Sequence, residues 1–175
     1  MLIRIGPTLD RLAEMLKSLS GLFAEAGFAR IEARHLFAAE QLIDLYGEDV
    51  RTRAYLLNDP LQGAELCLRP DFTVPIALAH GEGGWGRRAA YSYAGPVFRR
   101  QEAGSGRPIE YLQAGIESFG EADRDTADAR ILTLILRGLD ALEAPPAAIR
   151  TGDLNIVFAL LDALDMPPHR RAALR

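Results

Sequence analysis

Residues 91–120 constrain the fold of this chain more than any other stretch of its sequence. Their apolar alternation predicts two strands, one ending at residues 97–101 and one spanning residues 109–119, joined by a glycine-rich connection. Because strand side chains alternate between faces, a hairpin would place four polar residues on one face, around the small Gly115: Arg99, Gln101, Gln113 and Glu117. This face is a candidate ligand floor. The same pattern is also typical of an ordinary solvated strand face, and alternation alone leaves both interpretations open.

A second informative stretch, residues 68–73, predicts the end of a strand and the start of a helix. Pro70 resists continuation of the strand, Asp71 is suited to cap the helix, and Pro75 is tolerated near the helix start. Side chains at such a junction can reach over the end of a sheet, so Asp71 and Thr73 are candidates for ligand contact. Helix capping alone would also explain them.

The remaining periodicity predicts further helices and strands around these two regions. A helix beginning at Thr8 and stopping at Gly27 carries an apolar stripe that would face the core or, as the alternative, a partner subunit. The other predicted elements are a strand at 28–33, a helix at 36–46 ending at Gly47, strands at 53–58 and 64–68, a helix at 126–142, a strand at 147–151, and a helix capped by Asp153 whose buried side would carry Leu154, Val157, Phe158, Leu161 and Leu164. This order favours an α+β fold with a largely antiparallel sheet.

Composition narrows the class of protein. A chain of 175 residues that is 49% apolar and 25% charged predicts one soluble domain with a real core. The net charge of −4 shows no excess of basic residues, so the composition does not indicate a nucleic-acid-binding protein. Cys67 is the single cysteine, and the three histidines share no metal-ligand spacing, so we expect no metal and no cofactor. No membrane span or signal peptide is predicted, and the expected compartment is the cytoplasm.

Three blocks carry a resemblance to a known family when they are taken in order: residues 68–73 (LRPDFT), 95–100 (GPVFRR) and 113–120 (QAGIESFG). Together they resemble the class II histidyl-tRNA synthetases, and more closely their non-aminoacylating relatives, the regulatory subunits of ATP phosphoribosyltransferase. The resemblance covers nearly the whole chain. It implies a class II synthetase-like core, with an antiparallel sheet flanked by helices and a dimer formed through the early helix-strand region.

The resemblance also implies a histidine site without catalytic residues of its own. The residues that match the family's amino-acid pocket are Asp71, Thr73, Arg99, Gln113 and Glu117. An amino acid needs an anion for its ammonium group and a guanidinium for its carboxylate, which this set supplies. Arg99, Arg107 and Tyr111 match positions that contact the nucleotide in the synthetases, so a nucleotide or anion site remains open.

Departures from the synthetase pattern favour a regulator over an enzyme. Gln101 stands where the synthetases place a glutamate, and an amide there should weaken binding of a magnesium nucleotide. The sequence also lacks a third motif block and an anticodon-binding domain. We therefore expect residues 1–175 to form one class II core domain that is incomplete at its carboxy end.

The resulting hypothesis is a non-catalytic regulatory subunit of ATP phosphoribosyltransferase, the first enzyme of histidine biosynthesis. Its expected partners are the short-form catalytic subunit, L-histidine as effector, and a second copy of the chain within a hetero-oligomer. One alternative is a histidyl-tRNA synthetase core or a histidine-activating relative. Another is a fragment that binds no ligand and acts only as a scaffold.

Overall fold

The computed structural model describes residues 6–46, 50–61, 63–84, 86–146, 148–164, 167 and 170, without the side chains of residues 46 and 50. The chain divides into two compact units, Met1–Ala144 and Pro145–Arg175. The expectation of one domain over residues 1–175 stays a prediction. None of the helices in the described part of the chain is long and apolar enough to cross a bilayer.

Within these described residues, the first unit contains five helices and six strands, and the second contains one helix. In chain order they are α1 (Pro7–Glu25), β1 (Ala29–Arg30), β2 (Leu36–Ala38), α2 (Ala39–Tyr46), α3 (Val50–Arg53), β3 (Leu56–Asp59), β4 (Ala64–Leu68), α4 (Thr73–Glu82), β5 (Ala89–Phe98), β6 (Glu110–Phe119), α5 (Arg124–Ala141) and α6 (Leu154–Ala163).

The predicted hairpin forms the larger sheet. Strands β5 and β6 pair antiparallel along their full length, and the short β1 adds to the other side of β5 in parallel. The register places Tyr91 opposite Glu117, Tyr93 opposite Gly115, and Gly95 opposite Gln113. The polar residues predicted to share a face of β6 therefore do so, and they share it with two tyrosines of β5. The strand predicted at 28–33 is confirmed only over the two residues of β1.

A second, smaller sheet has the strand order β2-β4-β3, with both pairings antiparallel. The helix predicted over 36–46 is wrong in its first turn, since residues 36–38 pair with β4 as β2 before α2 begins; Gly47, its predicted end, lies outside the described residues. The strand predicted at 53–58 likewise starts late, because Arg53 still belongs to α3. At residues 36–38 the gain from cross-strand pairing decides the boundary against local helix propensity, whereas at residue 53 a helical turn replaces the expected strand.

Helix α1 begins one residue before its predicted cap. Its N-cap is Gly6 at φ +53°, followed by Pro7 at the first helical position, so Thr8 lies inside the helix and the cap assigned to it is wrong. Proline is suited to that position because its fixed φ is helical and its missing N–H would have had no partner. Gly27, at φ +86° just beyond the C-cap, ends the helix as predicted.

The core consists of three buried clusters, one formed by residues around the smaller sheet and two by residues around the larger sheet. Of the predicted apolar stripe on α1, Phe23 is buried, Leu19 is partly buried, and Leu9 is 47% exposed. The middle of the stripe lines an open apolar groove together with residues of β6 and α5: Leu12, Met15, Leu16, Leu112, Ala114, Ile135 and Leu139. The stripe is thus only partly a core element.

The two helices after the hairpin are confirmed, but their surroundings differ from expectation. Asp123 caps α5 by accepting a hydrogen bond from the Thr126 amide, and Asp153 caps α6 as predicted. Residues 148–151 form no strand, so the strand predicted at 147–151 is wrong over its described part. Of the residues predicted on the buried side of α6, Phe158 and Leu161 are half-buried, whereas Leu154 (69% accessible), Val157 and Leu164 are exposed, which contradicts the predicted burial.

Candidate functional site

The candidate site lies where the start of α4 meets the middle of β6. The Thr73 hydroxyl donates a 2.8 Å hydrogen bond to the Glu117 carboxylate. Pro70 is buried between the end of β4 and the start of α4. Because proline does not continue a strand, the chain leaves β4 here and enters α4. The two regions that the sequence predicts to supply one site are therefore in direct contact.

Asp71 adds a second carboxylate to this junction. Its Oδ1 accepts from the Val74 amide at 3.4 Å, so it assists the first turn of α4 although the N-cap itself is Phe72. Burial raises the pKa of the Glu117 carboxyl, the Thr73 hydrogen bond opposes this shift, and the Asp71 charge adds to it. Two carboxylates this close together favour a cationic ligand, because a positive charge relieves their mutual repulsion.

The floor of the site is formed by Gln113, Gly115 and Tyr93. The Gln113 Nε2 donates to the Tyr93 hydroxyl at 3.3 Å. The Tyr93 ring stacks on Phe72, with 4.4 Å between centroids and 15° between planes. Burial, above all, raises the pKa of the Tyr93 hydroxyl, which therefore stays protonated at neutral pH.

Arg99 follows the last residue of β5 and contacts the segment that leads into α4. Its Nε donates a 2.7 Å hydrogen bond to the carbonyl of Pro70, directly before Asp71. Its guanidinium carbon also lies 5.7 Å from the centre of the Tyr111 ring. Of the five residues predicted to bind histidine, Thr73 and Glu117 are in direct contact, and Asp71 acts on Glu117 through its charge. Gln113 contacts Tyr93, and Arg99 contacts the Pro70 carbonyl.

A basic cavity of about 1100 Å³ lies next to Arg99, beside the hairpin loop. Its lining includes four arginines and one carboxylate, Arg53, Arg99, Arg100, Arg107 and Glu102. The backbone N–H of Arg100 donates to the Arg53 carbonyl at 2.8 Å, which joins α3 to this wall. Gln101 also lines the cavity, and its amide nitrogen contacts the Pro108 carbonyl at 3.4 Å. Of the residues predicted for a nucleotide or anion, Arg99 and Arg107 line the cavity and Tyr111 lies under Arg99.

The sequence analysis did not identify two residues, Arg69 and Tyr93, that pack against the residues of the candidate site. Arg69 is 2% exposed; its guanidinium lies 3.8 Å from the Phe72 ring centre and donates to the carbonyls of Ala33 and Pro96. Tyr93, which touches both Phe72 and Gln113, was also missed. The signal was present, because the alternation that places Val97 and Arg99 on one face also places Tyr91 and Tyr93 there.

In the described residues, no group of three or more histidine, cysteine, aspartate or glutamate side chains could hold a metal ion. The residue set instead suits a small zwitterion, because it combines the carboxylates of Asp71 and Glu117 with the Arg99 guanidinium and the Gln113 amide. Hydrogen bonds to ionised groups are the stronger ones, so such a ligand would be held chiefly by its two charges.

Solved structures with the same fold define the class of this domain. An ATP phosphoribosyltransferase regulatory subunit/histidyl-tRNA synthetase from Bacillus halodurans matches with a TM-score of 0.84 and 24% identity, covering 99% of this chain and 45% of that one. A histidine–tRNA ligase subunit from Alicyclobacillus acidocaldarius matches with a TM-score of 0.71 and 22% identity, covering 99% of this chain and 50% of that one. The fold is therefore that of a class II aminoacyl-tRNA synthetase-like core, as predicted.

The family follows from the sequence match. The family model described as "Histidyl-tRNA synthetase" matches residues 6–175, and the chain belongs to that family. Among curated relatives, the proteins from Rhizobium johnstonii and Agrobacterium fabrum are each 37% identical, over 162 and 164 residues. Both are named ATP phosphoribosyltransferase regulatory subunit. The matches cover 91% and 92% of this chain but 42% of each relative, so the chain spans less than half of their length.

Proposed function

We propose that the chain acts as a regulatory subunit of ATP phosphoribosyltransferase in histidine biosynthesis. The observation that carries this proposal is the 37% identity, over nine tenths of the chain, to relatives that bear this name. In this role the chain assembles with the short-form catalytic subunit, which joins ATP to phosphoribosyl pyrophosphate, and it acts in the cytoplasm. It contributes no chemistry of its own.

L-histidine is the proposed effector, and the junction of α4 and β6 is its proposed site. The carboxylates of Asp71 and Glu117 would hold the positively charged part of the ligand. The Arg99 guanidinium would hold the ligand's carboxylate, since its Nε contact with Pro70 leaves the terminal nitrogens as further donors. Gln113 and Thr73 would add neutral hydrogen bonds.

Feedback inhibition requires more than a pocket. Histidine shifts an equilibrium only if it binds one state of the assembly more tightly than the other, and the size of the shift equals that difference in binding free energy. We propose that the regulatory chain forms a homodimer within the hetero-oligomer and that histidine stabilises its inhibited state. The α4–β6 junction is suited to this because its two parts are separate elements joined by side-chain contacts.

The test is histidine inhibition of the complex reconstituted with the catalytic subunit. Glu117→Ala and Asp71→Asn should each relieve the inhibition while preserving activation, because they remove an anion from the pocket and leave the rest of the surface intact. Glu110→Ala is the matched control, since Glu110 is exposed at the far end of the same strand. Unchanged inhibition in both pocket variants would contradict the assignment.

The second candidate function is a histidine-activating enzyme. The basic cavity favours it, because four arginines around about 1100 Å³ would suit the phosphates of a nucleotide. Gln101 argues against it, since an amide replaces the carboxylate expected beside a bound metal. Histidine-dependent exchange of pyrophosphate into ATP would separate the two: the regulatory role predicts none, and clear turnover would establish the enzyme.

A further inference from the structure

Gln113, in the floor of the candidate site, carries a buried acceptor that has no partner among the described residues. Its amide nitrogen donates to the Tyr93 hydroxyl at 3.3 Å. Its Oε1 is buried and has no hydrogen-bond partner among the described residues. A buried acceptor without a partner is unfavourable, so the arrangement indicates that a group from outside the described residues donates to it.

Tyr93 itself is held in place from two sides. The Tyr93 ring stacks on the Phe72 ring, and the Arg69 guanidinium lies 3.8 Å from the centre of the Phe72 ring. The space for its hydroxyl exists only because residue 115 is glycine: a Cβ there would lie 2.4 Å from the Tyr93 oxygen and 2.6 Å from Cζ. The position of this hydroxyl is therefore built into the floor of the site.

We infer that Tyr93 is a positioning residue that fixes the Gln113 amide so that its Oε1 accepts a hydrogen bond from an N–H group of the bound amino acid. The hydroxyl occupies the amide nitrogen, and this leaves the oxygen as an acceptor without a partner among the described residues. A site that offers an acceptor in this way discriminates against ligands without a donor, since their binding would leave the acceptor buried and unpaired. The inference rests on the proposed histidine site and assigns Tyr93 a role in it.

The first test is calorimetric titration of the 175-residue chain with L-histidine. Tyr93→Phe keeps the ring stack and removes only the hydroxyl, and it should weaken binding roughly three- to tenfold, the effect of one hydrogen bond. Tyr91→Phe is the matched control, because Tyr91 lies one pleat along the same face and its hydroxyl contacts Arg87 and His80 instead. Once Gln113→Ala is present, Tyr93→Phe should cause no further loss. Equal losses from the two tyrosine variants, or additive losses with Gln113→Ala, would overturn the inference.

The second test needs no ligand. In protein labelled with ¹⁵N-glutamine, the side-chain NH₂ signals of Gln113, identified by their loss in Gln113→Ala, should shift in Tyr93→Phe and stay in place in Tyr91→Phe. Unchanged signals in Tyr93→Phe would overturn the positioning contact. A shift together with no histidine binding by the unaltered chain would support the contact and overturn the proposed effector.

Discussion

Thr73 and Glu117 are 44 residues apart in the chain, and a 2.8 Å hydrogen bond joins their side chains. The bond runs from the first residue of α4 to the middle of β6, so it connects the two elements that supply the candidate pocket. It also opposes the effects of burial and of Asp71, both of which raise the pKa of Glu117. The contact thus helps to keep an anion available where a cationic ligand would bind.

Thr73→Val should weaken the binding of L-histidine, roughly three- to tenfold, because the Glu117 carboxylate loses its hydroxyl donor. The pKa of Glu117 should rise further, since the hydrogen bond that lowers it is gone. Thr73→Ser keeps the hydroxyl and should restore both properties. Calorimetry and an NMR titration of the Glu117 carboxyl measure the two effects. Wild-type affinity and an unshifted titration in Thr73→Val would show that the bond has no role.

Glu117 should lower the stability of the fold at neutral pH. When folding raises the pKa of a carboxyl group, that group does not destabilise the folded state at pH values below its unfolded-state pKa. The destabilisation grows as the pH rises from the unfolded-state pKa through the folded-state pKa, because the folded state keeps its proton to a higher pH. Glu117→Gln should therefore raise the thermal midpoint relative to wild type, by more at about pH 7 than at about pH 4. Glu110→Gln, at the exposed end of the same strand, is the control. A midpoint difference that is the same at both pH values would contradict this account of Glu117.

Gly115→Ala should destabilise the first unit by about 1–3 kcal/mol, because the new methyl group would force the Tyr93 ring away from Phe72. Gly21→Ala is the matched control, since Gly21 lies within α1 and open space surrounds the place that its new methyl group would take. That change should stabilise the protein by about 0.5–1 kcal/mol through the helix preference of alanine. Urea unfolding measures both. A neutral Gly115→Ala variant would mean that Tyr93 moves freely.

Cys67 should react slowly with thiol reagents in the folded protein. Its side chain is 0% exposed in β4, and burial, together with the Glu65 charge, raises its pKa to about 11. At about pH 8 the reactive thiolate is then roughly one thousandth of the total, in addition to being covered. Labelling should become fast only in denaturant. Rapid labelling of the native chain would indicate that the sheet β2-β4-β3 opens readily.

The hairpin and the strand-to-helix junction could be predicted because their signals are local. Alternation fixes which residues share a face, and proline at position 70 fixes where the strand ends. What covers an apolar face is not a local property. The predicted burial of the apolar side of α6 is therefore not found, and the α1 stripe is buried only in part. Periodicity shows that a helix has an apolar side but does not show what covers it.

Within the site, the charged and amide residues could be predicted, and the support that Arg69 gives could not. The sequence shows no partner for the charge of Arg69, which lies buried against Phe72 and donates to backbone carbonyls of distant segments. Such contacts depend on how β1, β4 and β5 meet. Tyr93 was within reach of the strand alternation, but only the register opposite Gly115 shows why its hydroxyl fits.

The most direct test of the central claim is calorimetric titration of L-histidine into the chain, first alone and then with the catalytic subunit of ATP phosphoribosyltransferase. The account predicts saturable binding either to the chain alone or to the complex. Glu117→Ala should weaken this binding at least tenfold, and Glu110→Ala should leave it unaffected. Binding only in the complex would mean that assembly completes the pocket. No binding in either case would contradict the account and leave the chain a scaffold without an effector site.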